Sequence, residues 1–456
     1  MTSARDHASQ SAGRRMELAR EWDRTLTRVR DLPGFHDFLR PPEIGRLTGA
    51  AADGPVVVLT ASRWRCDALV VHPEGVEVVE YPQLTQEAVG EQANSYLEAL
   101  QRVEQARQEA DLALRAYTAD PSSSSARGRR AAVRTLRETH QEQERTLRAV
   151  LAWLWDTITE PVLSSLGGLP SPPSPSSPSS PPGARPAGGL PPARLWWCPT
   201  GPLTVLPLHA AGYHDASPSC GMDSVLDRVV SSYTPTVRAL ETARARTSAG
   251  PRRQEQQQEQ EQEMLVVSMP DGPGQAPLRS AVEDRVLLTR LFAGSRHTVL
   301  EGPAATRDRV RRALRDSPNV HFSCHGTQDL TDPSAGGVLL ADGLLSVAEI
   351  SAGRHTGTFA FLSACKSATG GVGLPDEVVT LAAALHHTGF RHVVATLWSV
   401  RDDAAAAFAA DVYGYLCQGG VFRPEHAARA VHQAVLNLRA AGAGLSFWTP
   451  FTHTGP

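Results

Sequence analysis

The sequence lacks the features that would place the chain in a membrane, on a nucleic acid or in a disulfide-bonded fold. No apolar run approaches the about 20 residues that a membrane-spanning helix needs, and the first 15 residues contain no apolar core typical of a secretion signal. The formal net charge is −3 over 456 residues, without the strongly basic balance of nucleic-acid-binding proteins. We therefore expect no direct binding to a membrane or to nucleic acid.

Cysteine is scarce, and its spacing indicates no disulfide framework. The six cysteines include no CxxC pair, which is too little for a disulfide-stabilised chain of 456 residues. We expect reduced thiols and a cytoplasmic location, so that any special cysteine would be special for its chemistry. The six are Cys66, Cys198, Cys220, Cys324, Cys365 and Cys417.

Three polar stretches of low complexity divide the chain. Residues 120–130 interrupt a helical region, and residues 170–192 are so rich in Pro and Ser that they cannot pack a core. Residues 249–263 are dominated by Gln and Glu and favour a disordered loop, although such runs can also extend a helix. We expect a helical segment at 1–52, a β-hairpin with long packed helices at 53–169, a linker at 170–192 and the main domain at 193–456.

The two halves of the sequence differ in their hydrophobic patterns. Residues 54–84 contain three β-rich runs with a hairpin turn at 73–75, and residues 86–160 have the spacing of long helices. After residue 192, short apolar runs alternate with helical candidates, which predicts a mostly parallel sheet covered by helices on both faces. The predicted strands are RLWWCPT, MLVVSMP, HTVLEG, NVHFSC, TFAFLSAC and HVVATLW, and the helices include 279–293, 305–315, 375–388 and 402–416.

Two of these strands end in residues that can do chemistry together. In VHFSCHG, His325 ends the strand just before Gly326, and in TFAFLSAC, Cys365 ends the strand before a Ser/Thr/Gly-rich turn. Forty residues separate them, which is ample for a crossover between parallel neighbours. Because functional groups collect at the carboxyl ends of parallel strands, we expect the imidazole and the thiol side by side at one edge.

Such a pair is what thiol nucleophilic catalysis requires. A nearby imidazole stabilises the thiolate or supplies a proton to the leaving amine. The backbone amides of Gly326 and Cys365 are suited to hold the oxyanion of a tetrahedral intermediate. The sequence therefore favours His325 and Cys365 as catalytic residues, with Gly326 and Cys365 as the oxyanion hole.

Other interpretations of these residues stay open. A single cysteine or histidine after an apolar strand is more often a core residue, and Cys324 is a second nucleophile candidate, although strand alternation turns it to the opposite, buried face. His321 and His325 would lie about 13 Å apart on a strand, too far for one ion. The turn after Cys365 lacks the GxxxxGK[ST] order of a phosphate loop. We therefore expect no metal and no cofactor.

Several blocks together resemble the CHAT domain, a caspase- and separase-like cysteine peptidase domain. The blocks are VHFSCHG, LSACKSATG, VVATLWSVRDDAA and FWTPFTHTG, with LWWCPTGPLTVLPLHAAG, SYTPTVRAL, LVVSMP and LRSAVEDRVLL before them, and they cover about 194–456. LPGFHDFLRPP and GPVVVLTASRWRCDALVV resemble the segment that joins tetratricopeptide arrays to CHAT domains, but no such array is visible in this chain.

The resemblance implies a caspase-like, mostly parallel α/β sheet flanked by helices and preceded by an N-terminal helical and β-hairpin region. It implies a cysteine endopeptidase that cleaves protein or peptide substrates, with His325 as the catalytic histidine, Cys365 as the nucleophile and Gly326 in the oxyanion hole. It further suggests a role in bacterial defence or regulated cell death, with activation by a protein partner or by cleavage. A catalytically silent CHAT scaffold is the alternative.

The same resemblance points to a substrate-binding loop. In caspase-like folds, the segment after an LW pair lines the pocket for the residue before the scissile bond, and here that segment is 397–403. The candidates are Trp398, Asp402 and Asp403, since either carboxylate could pair with a substrate Arg or Lys. Arg401 leaves an acidic preference open, and the two aspartates could simply begin the helix that follows.

Overall fold

The computed structural model describes most of the chain. It covers residues 3–36, 38–40, 43–167, 193–214, 224–245, 262–272, 275, 277–327, 332–353, 355, 357–363 and 380–456. Cys365, the linker predicted at 170–192 and most of the loop predicted at 249–263 lie outside these residues. The end of that loop is described, and the Gln262 side chain both donates to the Phe422 carbonyl and accepts from its amide.

The N-terminal part consists of two helices and three antiparallel strands. Helix α1 spans Ser3–Arg30 and α2 spans Ile44–Gly49, and they are followed by β1 (Val56–Ala61), β2 (Cys66–His72) and β3 (Gly75–Glu80). His72 pairs with Gly75 across the β2–β3 turn. This pairing confirms the hairpin that the sequence predicts there.

Two long helices form an antiparallel hairpin after the strands. Helix α3 (Gln86–Ala119) begins where the Thr85 hydroxyl accepts from the Ala88 amide, and α4 (Ser123–Leu154) begins with a capping box of Ser122 and Ser125. The serine run is therefore the first turn of α4 rather than a long break, because serine hydroxyls satisfy the free amides at a helix start. A π-helical turn (Trp155–Thr159) leads from α4 into α5 (Glu160–Ser165).

Most of the remaining elements alternate between strands and helices, as the sequence predicts, but four of the described strands follow one another between residues 319 and 346. The helices are α6 (Val225–Arg228), α7 (Val237–Ala245), α8 (Arg279–Leu291), α9 (Arg307–Asp316), α10 (Val347–Ser351), α11 (Leu381–Thr388), α12 (Asp402–Leu416), α13 (Ala427–Ala440) and α14 (Leu445–Trp448). The strands are β4 (Ala193–Pro199), β5 (Val229–Tyr233), β6 (Met264–Ser268), β7 (His297–Glu301), β8 (Asn319–Ser323), β9 (Gly326–Thr327), β10 (Gly337–Leu340), β11 (Gly343–Ser346), β12 (Phe359–Ser363), β13 (His392–Thr396) and β14 (Phe451–Thr454). Short 3₁₀ turns lie at Gly201–Val205, Leu208–Ala210, Gly302–Ala304, Pro333–Ala335, Gln418–Gly420 and Pro424–His426.

Eleven of the described strands form one mostly parallel sheet. Their order is β3-β2-β1-β4-β5-β14-β13-β12-β8-β6-β7. The half that holds the candidate site, β13-β12-β8-β6-β7, is parallel throughout, and β14 runs antiparallel to β13. Strand β1 pairs in parallel with β4, so the N-terminal strands continue the same sheet. Strands β9, β10 and β11 form a separate small antiparallel sheet.

Both faces of the sheet are covered by apolar packing. Along β12, Phe359 and Phe361 face the cluster that includes residues of α8, α12 and α13, whereas Ala360 and Leu362 face the cluster that includes residues of α9, α10 and α11. A strand buried on both faces is apolar over most of its length, which explains runs such as FAFL in β12. No helix in the described part of the chain combines the length and the apolar character needed to cross a bilayer.

Candidate active site at the carboxyl edge of the sheet

Strands β8 and β12 are parallel neighbours in direct register. Their pairs run from Asn319 with Phe359 to Ser323 with Ser363. His325 follows Ser323 by two residues, and Cys365 follows Ser363 by two residues in the sequence. On the other side of β8, Ser323 also pairs with Ser268 at the end of β6. The carboxyl ends of β6, β8 and β12 therefore meet at one edge, as the alternation of strands and helices predicts.

His325 lies half-buried at this edge and is fixed from two sides. Its carbonyl oxygen accepts a hydrogen bond of 2.8 Å from the Leu339 amide of β10. On the other side the loop after β6 passes so close that a Cβ atom on Gly272 would lie 3.1 Å from the His325 Cδ2 atom. Glycine at position 272 therefore sets where the imidazole can lie.

Gly326 begins β9 and faces Val338 of β10. Because the Leu339 amide donates to the His325 carbonyl, Gly326 and Val338 form a pair that makes no hydrogen bonds of its own. In such a pair the two N–H groups point away from the opposing strand. The Gly326 amide is thus directed away from β10, next to the imidazole of the preceding residue.

A polar network lies under the edge and was not predicted from the sequence. The His321 Nε2 atom is 3.1 Å from Asp284 Oδ2 and 2.8 Å from Ser323 Oγ, and its Nδ1 atom is 3.0 Å from the Tyr413 hydroxyl. Ser323 donates to the same Asp284 oxygen at 2.7 Å. All four residues are buried, and burial raises the pKa of the Tyr413 phenol above its usual range. The network joins α8 and α12 to β8, the strand that ends two residues before His325.

Cys324 points away from this network. It is 1% exposed and belongs to the apolar cluster with Val320 and Phe322. Cys324 therefore lies on the face opposite His321 and Ser323, as the alternation along the strand predicts, although both faces are buried here.

The loop at 397–403 meets the same edge of the sheet from β13. Trp398 is buried, packs edge-to-face on Tyr96 of α3 at 5.6 Å between ring centroids, and donates from Nε1 to the Ser446 carbonyl at 3.3 Å. Asp402 is the first residue of α12, and its carboxylate accepts hydrogen bonds from the Arg279 amide, at 2.6 Å, and from the Ser280 hydroxyl. It thus caps the start of α8.

The neighbouring Asp403 has a different role. Its carboxylate forms a bidentate pair with Arg401, with contacts of 3.0 and 2.7 Å. This pair lowers the pKa of Asp403 and raises that of Arg401. Because both residues are exposed, solvent screens the pair and its contribution to stability is small.

Two hollows open at this edge. A small cavity of about 30 Å³ is lined by His325, Ser280, Asp402 and the last residues of β12 and β13. A larger cleft of about 890 Å³ also borders His325, and its walls include α3, the start of α8 and residues 399–403. The predicted histidine and the predicted acidic residue therefore line the same hollows. Among the described residues, no three His, Cys, Asp or Glu side chains converge as a metal site would require.

The contacts of Ser280 and Asp284 were not predicted, although the sequence carries a weak signal for them. Ser280 and Asp284 are one helical turn apart, on the face of α8 that packs against the sheet. Two polar residues at this spacing on an otherwise apolar helix face would have indicated buried partners. Their partners, Asp402 and His321, are more than thirty residues away, so only the fold could identify them.

The fold and this edge define a class of protein: a mixed α/β protein with a large, mostly parallel sheet of the caspase-like type, flanked by helices. The family model described as "CHAT domain" matches residues 148–456, and the chain therefore belongs to the CHAT domain family. No curated protein matches its sequence.

Solved structures show the same fold. Two crystal structures of the Saccharomyces cerevisiae separase–securin complex match with TM-scores of 0.55 and 0.56, each at 10% sequence identity and over 90% of this chain. The match takes in 31% and 30% of the separase chains, so this chain spans less than a third of their length. At this identity the likeness shows a shared fold.

Proposed function

We propose that the protein is a cysteine endopeptidase that cleaves protein substrates with a dyad of Cys365 and His325. The observation that carries the proposal is the direct register of β8 and β12, in which Ser323 is paired with Ser363. Each candidate residue follows its paired serine by two positions. Membership of the CHAT domain family and the caspase-like fold support the same assignment.

In the proposed reaction, the Cys365 thiolate attacks the scissile carbonyl carbon and a C–S bond forms. The Gly326 amide, directed away from β10, donates to the oxyanion together with the Cys365 amide. The protonated His325 then gives its proton to the leaving amine as the C–N bond breaks. Water, deprotonated by His325, hydrolyses the thioester and restores the thiol.

We propose that Asp402 selects a basic residue before the scissile bond. Its carboxylate lines the small cavity beside His325, and a carboxylate offers about four lone-pair positions. Its two donors from α8 leave positions for the guanidinium or ammonium group of a substrate. Asp403 is less suited because Arg401 already neutralises it. Trp398 is buried, so its proposed contribution is to hold the loop in place.

We further propose that the activity is cytoplasmic, serves bacterial defence or cell-death signalling, and is controlled by a protein partner. The family resemblance supports this setting. The two yeast structures contain separase in complex with securin, which makes control by a bound protein a reasonable model for this chain.

The test is turnover of a fluorogenic peptide library in which only the residue before the scissile bond varies. We expect the wild-type protein to cleave substrates with Arg or Lys at that position, and Cys365→Ala to lose about 1,000-fold or more in rate. Cys417→Ala is the matched control, because burial raises the pKa of that thiol to about 11 and so disfavours the nucleophilic thiolate. Equal turnover by wild type and Cys365→Ala would refute the dyad, and no turnover by either, without labelling of Cys365 by a peptide electrophile, would favour the silent scaffold.

A further inference from the structure

Helix α3 forms the outer wall of the large cleft at the candidate active site. Arg107, Asp111 and Arg115 lie four residues apart along α3, and all three line the cleft of about 890 Å³ that also borders His325 and Asp402. A spacing of four residues places side chains on the same face of a helix. One face of α3 therefore presents a row of alternating charges towards the hollow in which His325 lies.

This wall is held firmly against the rest of the molecule. Tyr96 of α3 packs on Trp398, at the start of the loop that carries Asp402. Glu144 of the paired helix α4 accepts hydrogen bonds from the Leu445 and Ser446 amides at 2.8 and 2.9 Å. The Ser446 carbonyl in turn accepts a hydrogen bond from the Trp398 indole. Ser446 therefore links the helical hairpin to the loop at 397–403. The helix that carries these charges is thus anchored at Tyr96 and through its partner helix at Glu144.

The dimensions and the charge of the cleft fit an extended polypeptide. From residue 107 to residue 115 the helix rises about 12 Å, which is the length of about four residues of extended chain. The opposite wall also carries both signs of charge, with Arg279 and Glu283 exposed on α8. An open, charged cleft differs from the enclosed, apolar pockets that bind small molecules.

We propose that the α3 face is a recognition surface for the substrate residues that flank the scissile bond. Arg115 selects an acidic residue and Asp111 a basic residue, while Arg107, which is half-buried and 3.8 Å from Glu104, contributes less. Both selecting side chains are exposed. The proposal rests on the proposed peptidase function, since it names the substrate of that same site as a mixed-charge polypeptide segment.

The test measures binding to the Cys365→Ala protein, so that cleavage is not needed. Fluorescein-labelled decapeptides with a central Arg carry Glu, Lys or Ala at each flanking position in turn, and their affinities are read from fluorescence anisotropy. In Arg115→Glu, we expect the position that prefers Glu to prefer Lys instead, with a change of about five-fold or more in Kd. In Asp111→Lys, a different position should change its preference from Lys to Glu.

Arg134→Glu is the matched control, because Arg134 is exposed on α4 and does not line the cleft. Arg134→Glu makes the same change of charge as Arg115→Glu on the same helical hairpin. Its residue preference at each flanking position of the decapeptide should equal that of the Cys365→Ala protein. Thermal unfolding verifies that each variant is folded. Identical preferences in the parent and in both α3 variants would overturn the proposal, as would an equal change in Arg134→Glu or no binding of any decapeptide to the parent.

Turnover of a short reporter, a tripeptide coumarin amide ending in Arg, separates this proposal from the proposed function. The reporter carries no flanking residues for the α3 face, so its turnover by the wild-type protein tests the dyad and the Asp402 preference without that surface. Failure of wild type to cleave the reporter counts against the peptidase alone, whereas unchanged flanking preferences count against the α3 surface alone.

Discussion

At the scale of single residues, the position of His325 depends on a neighbour that has no side chain. The loop after β6 lies close to the imidazole ring. A Cβ atom at position 272 would be only 3.1 Å from His325 Cδ2, so the glycine leaves the ring its room. A further constraint on His325 is the backbone hydrogen bond from Leu339, which no side-chain substitution removes. A substitution at Gly272 therefore acts directly on the position of the imidazole.

We predict that Gly272→Ala lowers kcat while the protein stays folded. An added Cβ would lie 3.1 Å from His325 Cδ2, so the ring must shift by a few tenths of an ångström. Small displacements of a catalytic group reduce rate steeply, and we expect a loss of about three- to ten-fold in kcat with little change in KM. Steady-state kinetics with the Arg reporter measure it.

Gly294→Ala is the control, because nothing lies within 4 Å of a Cβ at that position. A kcat for Gly272→Ala equal to that of Gly294→Ala would show that the contact does not set the position of the imidazole.

At the scale of elements, the Glu144 carboxylate joins the helical hairpin α3–α4 to the start of α14, where the Ser446 carbonyl accepts from Trp398 of the loop at 397–403. Glu144 accepts from the amides of Leu445 and Ser446 and from the Ser446 hydroxyl. These are the free amides at the start of α14, whose single turn cannot satisfy them internally. Sequence periodicity predicts that residues 86–160 are long helices, but a glutamate on such a helix is usually solvated, so this contact could not be foreseen.

We predict that Glu144→Ala lowers the free energy of unfolding by about 1–2 kcal/mol, because it leaves several donors of α14 without their acceptor. Glu142→Ala is the control: Glu142 lies on the same helix in an exposed pair with Arg145, and such pairs contribute little. Urea unfolding of both variants measures the difference. Equal urea midpoints for Glu144→Ala and Glu142→Ala would mean that water replaces the Glu144 carboxylate without loss of stability.

At the scale of the whole molecule, buried histidines tie the two halves of the sheet together. His392 of β13 and His453 of β14 are 3.2 Å apart between Nδ1 and Nε2, and His453 also contacts Ser232 of β5 at 2.8 Å. Burial, together with nearby Arg194 and other cationic groups, holds the pKa of both imidazoles well below 6.5. The folded protein therefore keeps both rings neutral.

This arrangement makes the stability depend on pH below neutrality. An unfolded histidine takes up a proton near pH 6.5, whereas His392 and His453 stay neutral in the folded state. Below about pH 6.5 the unfolded chain thus binds more protons, and stability falls as the pH falls, by up to about 1.4 kcal/mol per pH unit for each histidine. Above about pH 7 both states are neutral and the effect vanishes.

We predict that His392→Gln reduces this pH dependence. Glutamine does not titrate, so the fall in thermal midpoint between pH 7 and pH 5 should be smaller in the variant than in the wild type. His387→Gln, at an exposed position of α11, is the control and should keep the wild-type slope. A slope in His392→Gln as steep as that of the control would show that other buried groups dominate the acid response.

The sequence by itself determined the elements and the class of the protein. Apolar runs and helical spacing predicted most strands and helices of the main domain, because a strand covered on both faces is mostly apolar and a surface helix is amphipathic. Strands β5 and β14 and the small sheet of β9, β10 and β11 were not predicted. The blocks around His325 and Cys365 also identified the family to which the chain belongs, as the match over residues 148–456 bears out.

Only the tertiary structure decided which residues meet. The pairing of β8 with β12 in direct register, the contact of Gly272 with His325 and the bonds from Ser280 to Asp402 and from Asp284 to His321 all join segments distant in sequence. Local propensity acts over about one or two helical turns, so it carries no information about such partners. They are fixed by the packing of helices on the two faces of the sheet, which is a property of the whole chain.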